Sequence, residues 1–316
     1  VLYIPGSKER ALEKAKTLPV DAIIFDLEDA VAVDEKENAR HTLAAALTAG
    51  GYGDRAQIVR INALDTDWGH QDIEVIAPTD PQAILLPKVN SASDIKSLSA
   101  LLDAHPTCAD TQIWAMMETP LGMLNAAQIA AHPKLQGMVM GTNDLAKELQ
   151  TRFRADRLPL QTGLGLCLLA AKAHGLAIVD GVYNAFKDEE GLEVECTQGR
   201  DMGFDGKTLI HPSQLAVANA AFSPSEADLN LARRQIEAFD TVEASGQGVA
   251  VVDGRIVENL HIVTAREVLA KAEAIAAIRL VDARGTTDLG GGWLRGCELV
   301  ATELLELGVN RTLLLT

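Results

Sequence analysis

Short apolar runs rich in β-branched residues recur along the chain, and an amphipathic stretch follows most of them. Eight runs have this character, at residues 1–5, 22–28, 57–62, 83–89, 112–119, 137–142, 177–183 and 206–212. Their apolar residues are nearly continuous and do not alternate with polar ones, which is typical of parallel strands covered by helices. Between them, the helical patterns at 7–18, 34–47 and 120–131 begin with Ser, Asp or Pro, as helix starts commonly do.

The number and order of these runs predict the fold class. Eight strands alternating with helices over residues 1–222 indicate an α/β protein of the (β/α)8 TIM-barrel type. The alternative is a doubly wound open sheet, whose usual glycine fingerprint G-x-G-x-x-G should follow the first strand. No such fingerprint follows residues 1–5, so the barrel is favoured.

The pattern changes after residue 222. A charged helical stretch covers residues 225–248, and the Asp253–Gly254 pair then separates two apolar runs, which is a hairpin-turn signal. We therefore expect a C-terminal helical and hairpin appendage over residues 223–279, packed on the barrel or on a neighbouring subunit. Residues 280–316 follow a glycine-rich break and receive no assignment.

Charge and cysteine content narrow the functional classes. The formal net charge of −16 argues against nucleic acid or an anionic membrane surface as the main partner. The four cysteines have no zinc-binding spacing, and we expect buried, reduced thiols of a cytoplasmic protein. No run approaches about 18 consecutive apolar residues, so no membrane partner is expected.

Polar residues follow most of the predicted strands at the point where each strand ends. In a parallel barrel these ends meet at one rim, where the active site is built. Any single residue there can instead be a helix cap, and Asp29 and Asp144 are candidates for that role. Six or seven strands ending in this way are harder to explain by capping. The residues are Asp26, Glu28, Asp29, Arg60, Asn62, Lys88, Glu118, Asn143, Asp144, Asp180 and His211.

Carboxylates outnumber cations at this rim, and converging carboxylates raise one another's pKa unless a cation neutralises them. The chain has no Cys/His cluster that would favour zinc, whereas hard oxygen ligands favour Mg²⁺, with Mn²⁺ also possible. Glu118 and Asp144 follow neighbouring strands and are the predicted metal ligands. Glu28 and Asp29 would lie across the mouth of the barrel and hold metal-bound water.

A metal with open positions beside an arginine suits a 2-keto acid, which chelates through its carboxylate and keto oxygens. Arg60 would pair with charge on the substrate, and the chemistry supported is that of an enolate, with carbon–carbon bond cleavage or formation next to a carbonyl. The rival mechanism is a Schiff base on Lys88. We expect Lys88 to be an ion-paired ammonium among acids, whereas a Schiff-base lysine needs a lowered pKa.

Eight motifs in order, spread over roughly residues 1–278, carry a family resemblance. The chain resembles the citrate lyase β-subunit-like (CitE-like) acyl-CoA lyases, which include malyl-CoA and citramalyl-CoA lyases of the HpcH/HpaI aldolase superfamily. The motifs are LYIPGSKERALEKA, DAIIFDLEDAV, VRINALDTDWGHQD, LLPKV, METPLGML, GTNDLA, GFDGKTLIHPSQL and GRIVENLHI.

The resemblance implies a Mg²⁺-dependent TIM barrel that is a homotrimer or hexamer and acts on a CoA thioester and a 2-keto acid. It makes Glu118 and Asp144 the metal ligands and Arg60 the group that stabilises the thioester enolate oxygen or the keto-acid carboxylate. An ordinary basic face on the first helix is the alternative for the two lysines among the implied CoA-binding residues. Those residues are Tyr3, Lys8, Lys14, His211 and Pro212.

One position departs from the family pattern. Many of these lyases carry an aspartate in the C-terminal hairpin, which reaches a neighbouring subunit's active site and handles the proton on the acetyl carbon. Glu258 stands there in this chain. It is either the same acid/base on a shifted backbone, the mark of a different substrate or reaction, or a solvent-exposed hairpin residue.

The expected function is therefore a CoA-ester lyase acting on a malyl-CoA or citramalyl-CoA type thioester, giving acetyl-CoA or a related acyl-CoA and glyoxylate or pyruvate. Arg60 and Glu258, with Glu28 and Asp29, are the predicted catalytic residues. A malyl-CoA-type thioesterase and the β subunit of a citrate lyase complex, acting on a carrier-bound thioester, are the alternatives. A non-catalytic partner that kept the fold is a further one, disfavoured because every metal and anion position holds a competent residue.

Overall fold

Eight parallel strands form one sheet whose order in space is their order in the sequence. A parallel bridge between Leu2 and Leu209 joins the eighth strand to the first, with Tyr3 N donating to Leu209 O at 2.9 Å. The predicted barrel is confirmed and the open sheet is wrong. The strands are β1 Leu2–Pro5, β2 Ala22–Asp26, β3 Ala56–Arg60, β4 Ala83–Leu86, β5 Gln112–Met117, β6 Leu135–Met140, β7 Ala177–Asp180 and β8 Gly206–Lys207.

The structure is a computed structural model that describes residues 1–244, 246 and 248–284. The chain divides into two compact units, the first covering Val1–Phe222 and the second beginning at Ser223. The unassigned tail lies outside the described residues from 285 onwards. Among the described residues, no helix is both long and apolar enough to cross a membrane.

The helices of the first unit connect successive strands, except for the last, which follows β8. The predicted helix over 120–131 is two short helices that meet at Asn125, whose side chain donates to Asn90 O at 2.8 Å. The helices are α1 Glu9–Ala15, α2 Lys36–Ala49, α3 Gly69–Ile76, α4 Ala92–Asp103, α5 Pro120–Leu124, α6 Ala126–Ala130, α7 Thr142–Glu148, α8 Gln161–Ala173, α9 Glu189–Met202 and α10 Leu215–Phe222.

Alternation of side chains along the strands creates two apolar layers in the barrel. The larger layer lies between strands and helices, and the smaller one fills the barrel interior, where Ile24, Ile58, Leu85 and Met116 belong to one cluster. The polar residues that end or follow several strands, among them Asp26, Arg60 and Glu118, belong to neither layer. A polar rim can therefore form there on a rigid apolar support.

The second unit contains α11 Glu226–Glu243, β9 Ala250–Val252, β10 Arg255–Val257 and α12 Asn259–Arg284. β9 and β10 pair antiparallel around Asp253 and Gly254, whose φ angles are 51° and 75°. Positive φ at both central residues is what a type I′ hairpin turn requires. The predicted hairpin is therefore present, and Ser225 caps α11 in a capping box with Asp228.

Candidate active site

Arg60 and Asp26 form a buried ion pair at the rim of the barrel. They are the last residues of β3 and β2 and stand opposite each other in the parallel register. Arg60 Nε lies 2.7 Å from Asp26 Oδ1 and Nη2 lies 2.5 Å from Oδ2, a two-pronged contact that fixes the guanidinium plane. Asp26 was not among the predicted catalytic residues, although it ends its strand as they do.

The remaining nitrogen of Arg60 faces two further carboxylates. Its Nη1 lies 2.8 Å from Glu28 Oε2 and 3.5 Å from Asp29 Oδ2, and Lys88 Nζ approaches the other Glu28 oxygen at 3.6 Å. Burial raises the pKa of Glu28, and the charge of Arg60 opposes that shift. Glu28 Oε2 is buried and has no well-aligned hydrogen bond, so it can still accept one from a water or a ligand.

Glu118 follows β5 and is 1% exposed. Its Oε1 accepts a hydrogen bond of 2.7 Å from the main-chain nitrogen of Lys88, a residue held at φ 52° in the left-handed region. Burial, followed by the negative charge of Glu28, raises the pKa of Glu118 from 4.5 to about 8. Such a carboxylate is poorly compensated in the protein alone, and a bound cation would favour its charged form.

Asp144 lies in the first turn of α7, where Gly141 is the N-cap and no side chain caps the helix. The capping alternative for Asp144 therefore fails. Its charge acts on both Glu118 and Lys88, so the structure brings Asp144 to the same part of the rim. Gly141 is required for this closeness, since a Cβ there would lie 2.3 Å from Glu118 Cβ.

The predicted ligands fit a magnesium ion by their chemistry. Glu118 and Asp144 provide hard carboxylate oxygens, and Glu28 adds a buried acceptor beside them. Within the described part of the chain, no group of three or more His, Cys, Asp or Glu side chains is arranged to hold a metal by itself. Mg²⁺ needs only one or two protein carboxylates, because water and substrate oxygens complete its octahedron.

Lys88 is an ion-paired ammonium, as the sequence predicts. Burial lowers its pKa, but the charges of Glu28 and Glu118 outweigh burial and the net shift is upward. A Schiff-base lysine needs the opposite shift, because only the neutral amine attacks a carbonyl. The structure therefore disfavours the Schiff-base mechanism.

Tyr3 lies within the barrel against the same arginine. The centroid of its ring is 5.0 Å from Arg60 Cζ, and its hydroxyl donates to Met116 Sδ at 3.5 Å. Burial raises the pKa of Tyr3 above its usual range, so the hydroxyl stays protonated. These contacts support the position of Arg60, while the contact of Tyr3 with CoA stays a prediction.

The other predicted CoA residues lie on the elements that follow β1 and β8, two strands that the closing bridge makes neighbours. Lys8 and Lys14 are exposed, the first directly before α1 and the second in its last turn. His211 is exposed, and its ring packs on Phe186 with centroids 4.7 Å apart. Pro212 opens the short 3₁₀ turn Pro212–Gln214. Their role in CoA binding stays a prediction.

Glu258 lies in the second unit, directly after β10 and before α12. Glu258 is exposed, and its main-chain nitrogen donates to His261 Nδ1 at 3.0 Å. The hairpin thus presents a carboxylate at the surface of this unit. Its action in the active site of a neighbouring subunit stays a prediction.

Two of the polar residues at strand ends belong to structural networks. Asp180 is fully buried, with both oxygens 2.7 Å from Arg157 Nη1 and one 3.1 Å from Lys207 Nζ. Asn62 donates its side-chain nitrogen to Asp72 Oδ2 at 2.6 Å. The expectation that strand-end polarity marks the active site is wrong for these two, because long-range ion pairs and hydrogen bonds occupy them.

Gly141 and Lys36, which lie beside Glu118 and the backbone of Glu28, are outside the predicted rim residues, whereas Asp26 is among them but has no assigned role. Asp26 and Glu28 stand at the end of an apolar run, where a parallel strand reaches the rim of a barrel. Gly141 directly follows an apolar run, where a glycine indicates a turn or a close approach. Lys36 has no such sequence signal, because its contacts depend on how α2 packs.

Comparisons with known proteins identify the family of the chain. The sequence profile of the HpcH/HpaI aldolase/citrate lyase family matches residues 1–212. A second profile, described as a carbon–carbon bond lyase of the TIM-barrel fold, matches residues 164–276. Together they cover the barrel and most of the described part of the second unit.

Two relatives represent different reactions. A (3S)-malyl-CoA thioesterase of Cereibacter sphaeroides is 68% identical over 279 residues, which cover 88% of this chain and 96% of that protein. The citrate lyase β subunit of Escherichia coli is 33% identical over 279 residues, covering 86% of this chain and 92% of that subunit.

A solved structure provides the corresponding likeness in three dimensions. CitE from Mycobacterium tuberculosis, in complex with magnesium, acetoacetate and coenzyme A, superposes with a TM-score of 0.73 at 32% identity, covering 86% of this chain and 97% of that one. The family profile spans more than half of the sequence, and the eight-stranded barrel accords with the TIM-barrel fold named by the second profile. The chain therefore belongs to the HpcH/HpaI aldolase/citrate lyase family of enzymes.

Proposed function

We propose that this enzyme hydrolyses a 3-hydroxyacyl-CoA thioester of the (3S)-malyl-CoA type, with Mg²⁺ as its cofactor, giving malate and free CoA. The observation that carries the proposal is the 68% identity to a (3S)-malyl-CoA thioesterase over nearly the whole of that relative. A match of that length covers most of the chain. The similarity to this relative favours hydrolysis over the carbon–carbon cleavage that the sequence motifs predict.

The metal would be held by Glu118 and Asp144, with Glu28 accepting a hydrogen bond from a water beside it. Neighbouring CitE structures contain magnesium together with small keto acids, which supports this cofactor here. When bound, the ion supplies Lewis acidity and a template for the substrate's oxygens. The raised pKa of Glu118 and the Glu28 oxygen that lacks a well-aligned hydrogen bond are the features of this chain that suit it.

Arg60 would stabilise negative charge on the thioester oxygen. Asp26 binds two of its nitrogens, so the guanidinium is held with Nη1 towards the rim. Hydrolysis places charge on that oxygen in a tetrahedral intermediate, and carbon–carbon cleavage places it on the same oxygen of an enolate. One preorganised cation therefore serves either reaction.

Glu258 is proposed as the residue that moves a proton, delivered by the hairpin of a neighbouring subunit in a homotrimer or hexamer. A glutamate places its carboxylate one methylene further from the backbone than the aspartate of many lyases in the family. A displacement of about 1 Å can cost about 100-fold in rate at a reacting carbon. We propose that a carboxylate shifted in this way takes a proton from water and not from carbon.

Binding of the CoA portion is assigned to the rim next to β1 and β8. Lys8 and Lys14 provide cationic groups that suit phosphates, and His211 with Pro212 follows the neighbouring strand. Tyr3 lies deeper, where it supports Arg60. A cytoplasmic location is part of the proposal, and the free, buried Cys108, Cys167 and Cys196 are consistent with it. Cys297 lies outside the described residues.

Carbon–carbon cleavage is the second candidate function. The family profile for carbon–carbon bond lyases and the 33% identity to a citrate lyase β subunit favour it. In that reaction malyl-CoA would give glyoxylate and acetyl-CoA, and no free thiol would appear. A carrier-bound thioester, as in a citrate lyase complex, is the variant of this reaction with a protein partner.

Product analysis separates these functions. Chelator-treated protein is incubated with (3S)-malyl-CoA or citramalyl-CoA, with and without Mg²⁺, and free thiol, the hydroxy acid (malate or citramalate) and keto acid are measured in parallel. Free thiol with malate, formed only with Mg²⁺, is the expected result. Keto acid without thiol would replace hydrolysis by carbon–carbon cleavage, and the absence of all products would refute both activities on CoA esters.

A further inference from the structure

Lys36 is a buried cation whose bonds go to main-chain carbonyls. It begins α2 and is only 6% exposed. Its Nζ donates to Leu27 O at 3.1 Å and to Glu28 O at 3.0 Å, and it lies 5.3 Å from the centroid of the Trp68 ring. These three contacts enclose the ammonium group on the side of the β2–α2 connection.

This position opposes ordinary helix and burial preferences. A cation near the amino end of a helix faces the positive end of the helix dipole, which is unfavourable. Burial of an ammonium costs free energy unless it is well paired or hydrogen-bonded. A lysine that works against both preferences is explained by what it binds, and the two carbonyls it binds belong to the peptide units on either side of the Glu28 Cα.

The segment that Lys36 holds is the one that carries the catalytic carboxylates. Glu28 N and Ala30 N donate to Asp26 at 2.9 and 3.0 Å, so the chain turns tightly after β2. This turn directs Glu28 towards Arg60 and Lys88. Lys36, the first residue of α2, links the backbone of this turn to that helix.

We propose that Lys36 is a positioning residue, which fixes residues 27–29 so that the Glu28 carboxylate meets Arg60 and Lys88 at the rim. Lys36 acts through Glu28, since its described contacts are with protein groups of the loop and with Trp68. The catalytic part of this inference rests on the proposed function. The structural part does not.

Replacement of Lys36 should leave the fold intact. After Lys36→Met, Leu27 O still accepts from Asn62 Nδ2 at 2.9 Å, and Glu28 O still accepts from Val31 N at 3.1 Å. Neither carbonyl is left without a donor, so the cost of an unsatisfied buried group is avoided. What disappears is the link between the loop and α2.

The first test is hydrogen exchange measured by mass spectrometry on residues 27–31 of the whole protein. Lys36→Met should speed exchange in this segment by about 10-fold or more, because local opening becomes easier. Lys16→Met is the matched control, since Lys16 Nζ also faces an aromatic ring, 5.5 Å from the centroid of Tyr52. Unchanged exchange in Lys36→Met would overturn the proposal, whether or not malyl-CoA is a substrate.

The second test is kinetic. Lys36→Met should lower kcat by about 10- to 100-fold while KM changes less than about 3-fold, because Glu28 is displaced and the substrate contacts remain. In a Glu28→Gln background the same change should cost little more, since both act on one group. If the fold losses in kcat from the two single substitutions multiply in the double variant, a role of Lys36 through Glu28 is contradicted. If Lys36→Met does not fold, Lys36→Gln, which keeps one donor, carries both tests and should give a smaller effect in the same direction.

Discussion

The main-chain N–H of Lys88 donates a hydrogen bond of 2.7 Å to Glu118 Oε1, and Lys88 itself has a φ of 52°. A left-handed conformation of a non-glycine residue costs about 1–3 kcal/mol, and such strain is concentrated at functional sites. Here it lets one residue contact two acids, because its side chain also approaches Glu28 Oε1 at 3.6 Å. Lys88 therefore links the predicted metal ligand to the carboxylate across the mouth.

Gly141→Ala should displace Glu118 and weaken Mg²⁺ binding. The φ of Gly141 is −95°, so no left-handed conformation is involved, and the main effect of alanine is the steric contact of its Cβ. The new Cβ would lie 2.6 Å from Glu118 Oε2. We expect about 10- to 100-fold weaker Mg²⁺ affinity by calorimetry, the size typical of disturbed ligand support.

Gly165→Ala is the control for Gly141→Ala. Gly165 lies within α8, and a Cβ there meets nothing within 4 Å. This variant should bind Mg²⁺ normally and gain about 0.5–1 kcal/mol in free energy of unfolding, from better helix propensity. Equal Mg²⁺ affinity in both glycine variants would contradict the packing of Gly141 against Glu118.

Metal-free protein should lose stability as the pH rises from about 4.5 to about 8. Burial raises the pKa of Glu118 from 4.5 to about 8, so the folded state holds a proton that the unfolded state releases. Its contribution is fully present below the unfolded pKa and is lost as pH rises through the folded pKa. Melting temperatures in chelator, with Glu118→Gln as reference, measure it. If melting temperature depends on pH in the same way in wild type and Glu118→Gln, the raised pKa of Glu118 is contradicted.

Arg60→Lys should impair catalysis strongly. A lysine cannot reproduce the two-pronged contact with Asp26 or keep a nitrogen directed at the rim. Loss of such a charge stabiliser typically costs about 100- to 1000-fold in kcat. Arg157→Lys is the control, since Arg157 is also a buried arginine paired with an aspartate, Asp180. It should lower stability but leave kcat within a few-fold. Comparable kcat losses in the two variants would contradict the assignment of Arg60.

Glu258 can be tested by subunit complementation. Glu258→Gln and Glu118→Gln should each be inactive, because one lacks the proton-transfer group and the other a metal ligand. If the hairpin serves a neighbouring subunit, hybrids made by co-expression contain some sites with both residues intact. We expect part of the activity to return in the hybrids. No recovery, despite hybrid formation shown by native mass spectrometry, would place Glu258 outside the neighbour's site.

Sequence patterns predicted the barrel because parallel strands leave local traces. Most of the strands are nearly continuous apolar runs, and each predicted run contains the observed strand or overlaps most of it. The predicted runs extend too far at several carboxyl ends, as at residues 22–28, where β2 ends at Asp26. The hydrogen-bonded strand ends at Asp26, but the residues that follow it, including Glu28, continue into the rim.

Contacts between distant residues are what the sequence could not provide. The pairing of Asp26 with Arg60 depends on strand register, and Asp180 reaches Arg157 only because a loop folds back to β7. Strand-end position alone does not separate the first pair, at the site, from the second, a structural pair. Lys36 is similar, since its role depends on the packing of α2 against the turn after β2.

The central claim is that Mg²⁺ acts at Glu118 and Asp144 in cleavage of the thioester. It is tested most directly by adding Mg²⁺ back to chelator-treated protein with (3S)-malyl-CoA and measuring free thiol, for wild type, Glu118→Gln and Asp144→Asn. Wild type should show saturable, Mg²⁺-dependent release of thiol, and each folded variant should lose about 100-fold or more, beyond the effect of ligand support alone. Activity within a few-fold of wild type in either variant would contradict the account.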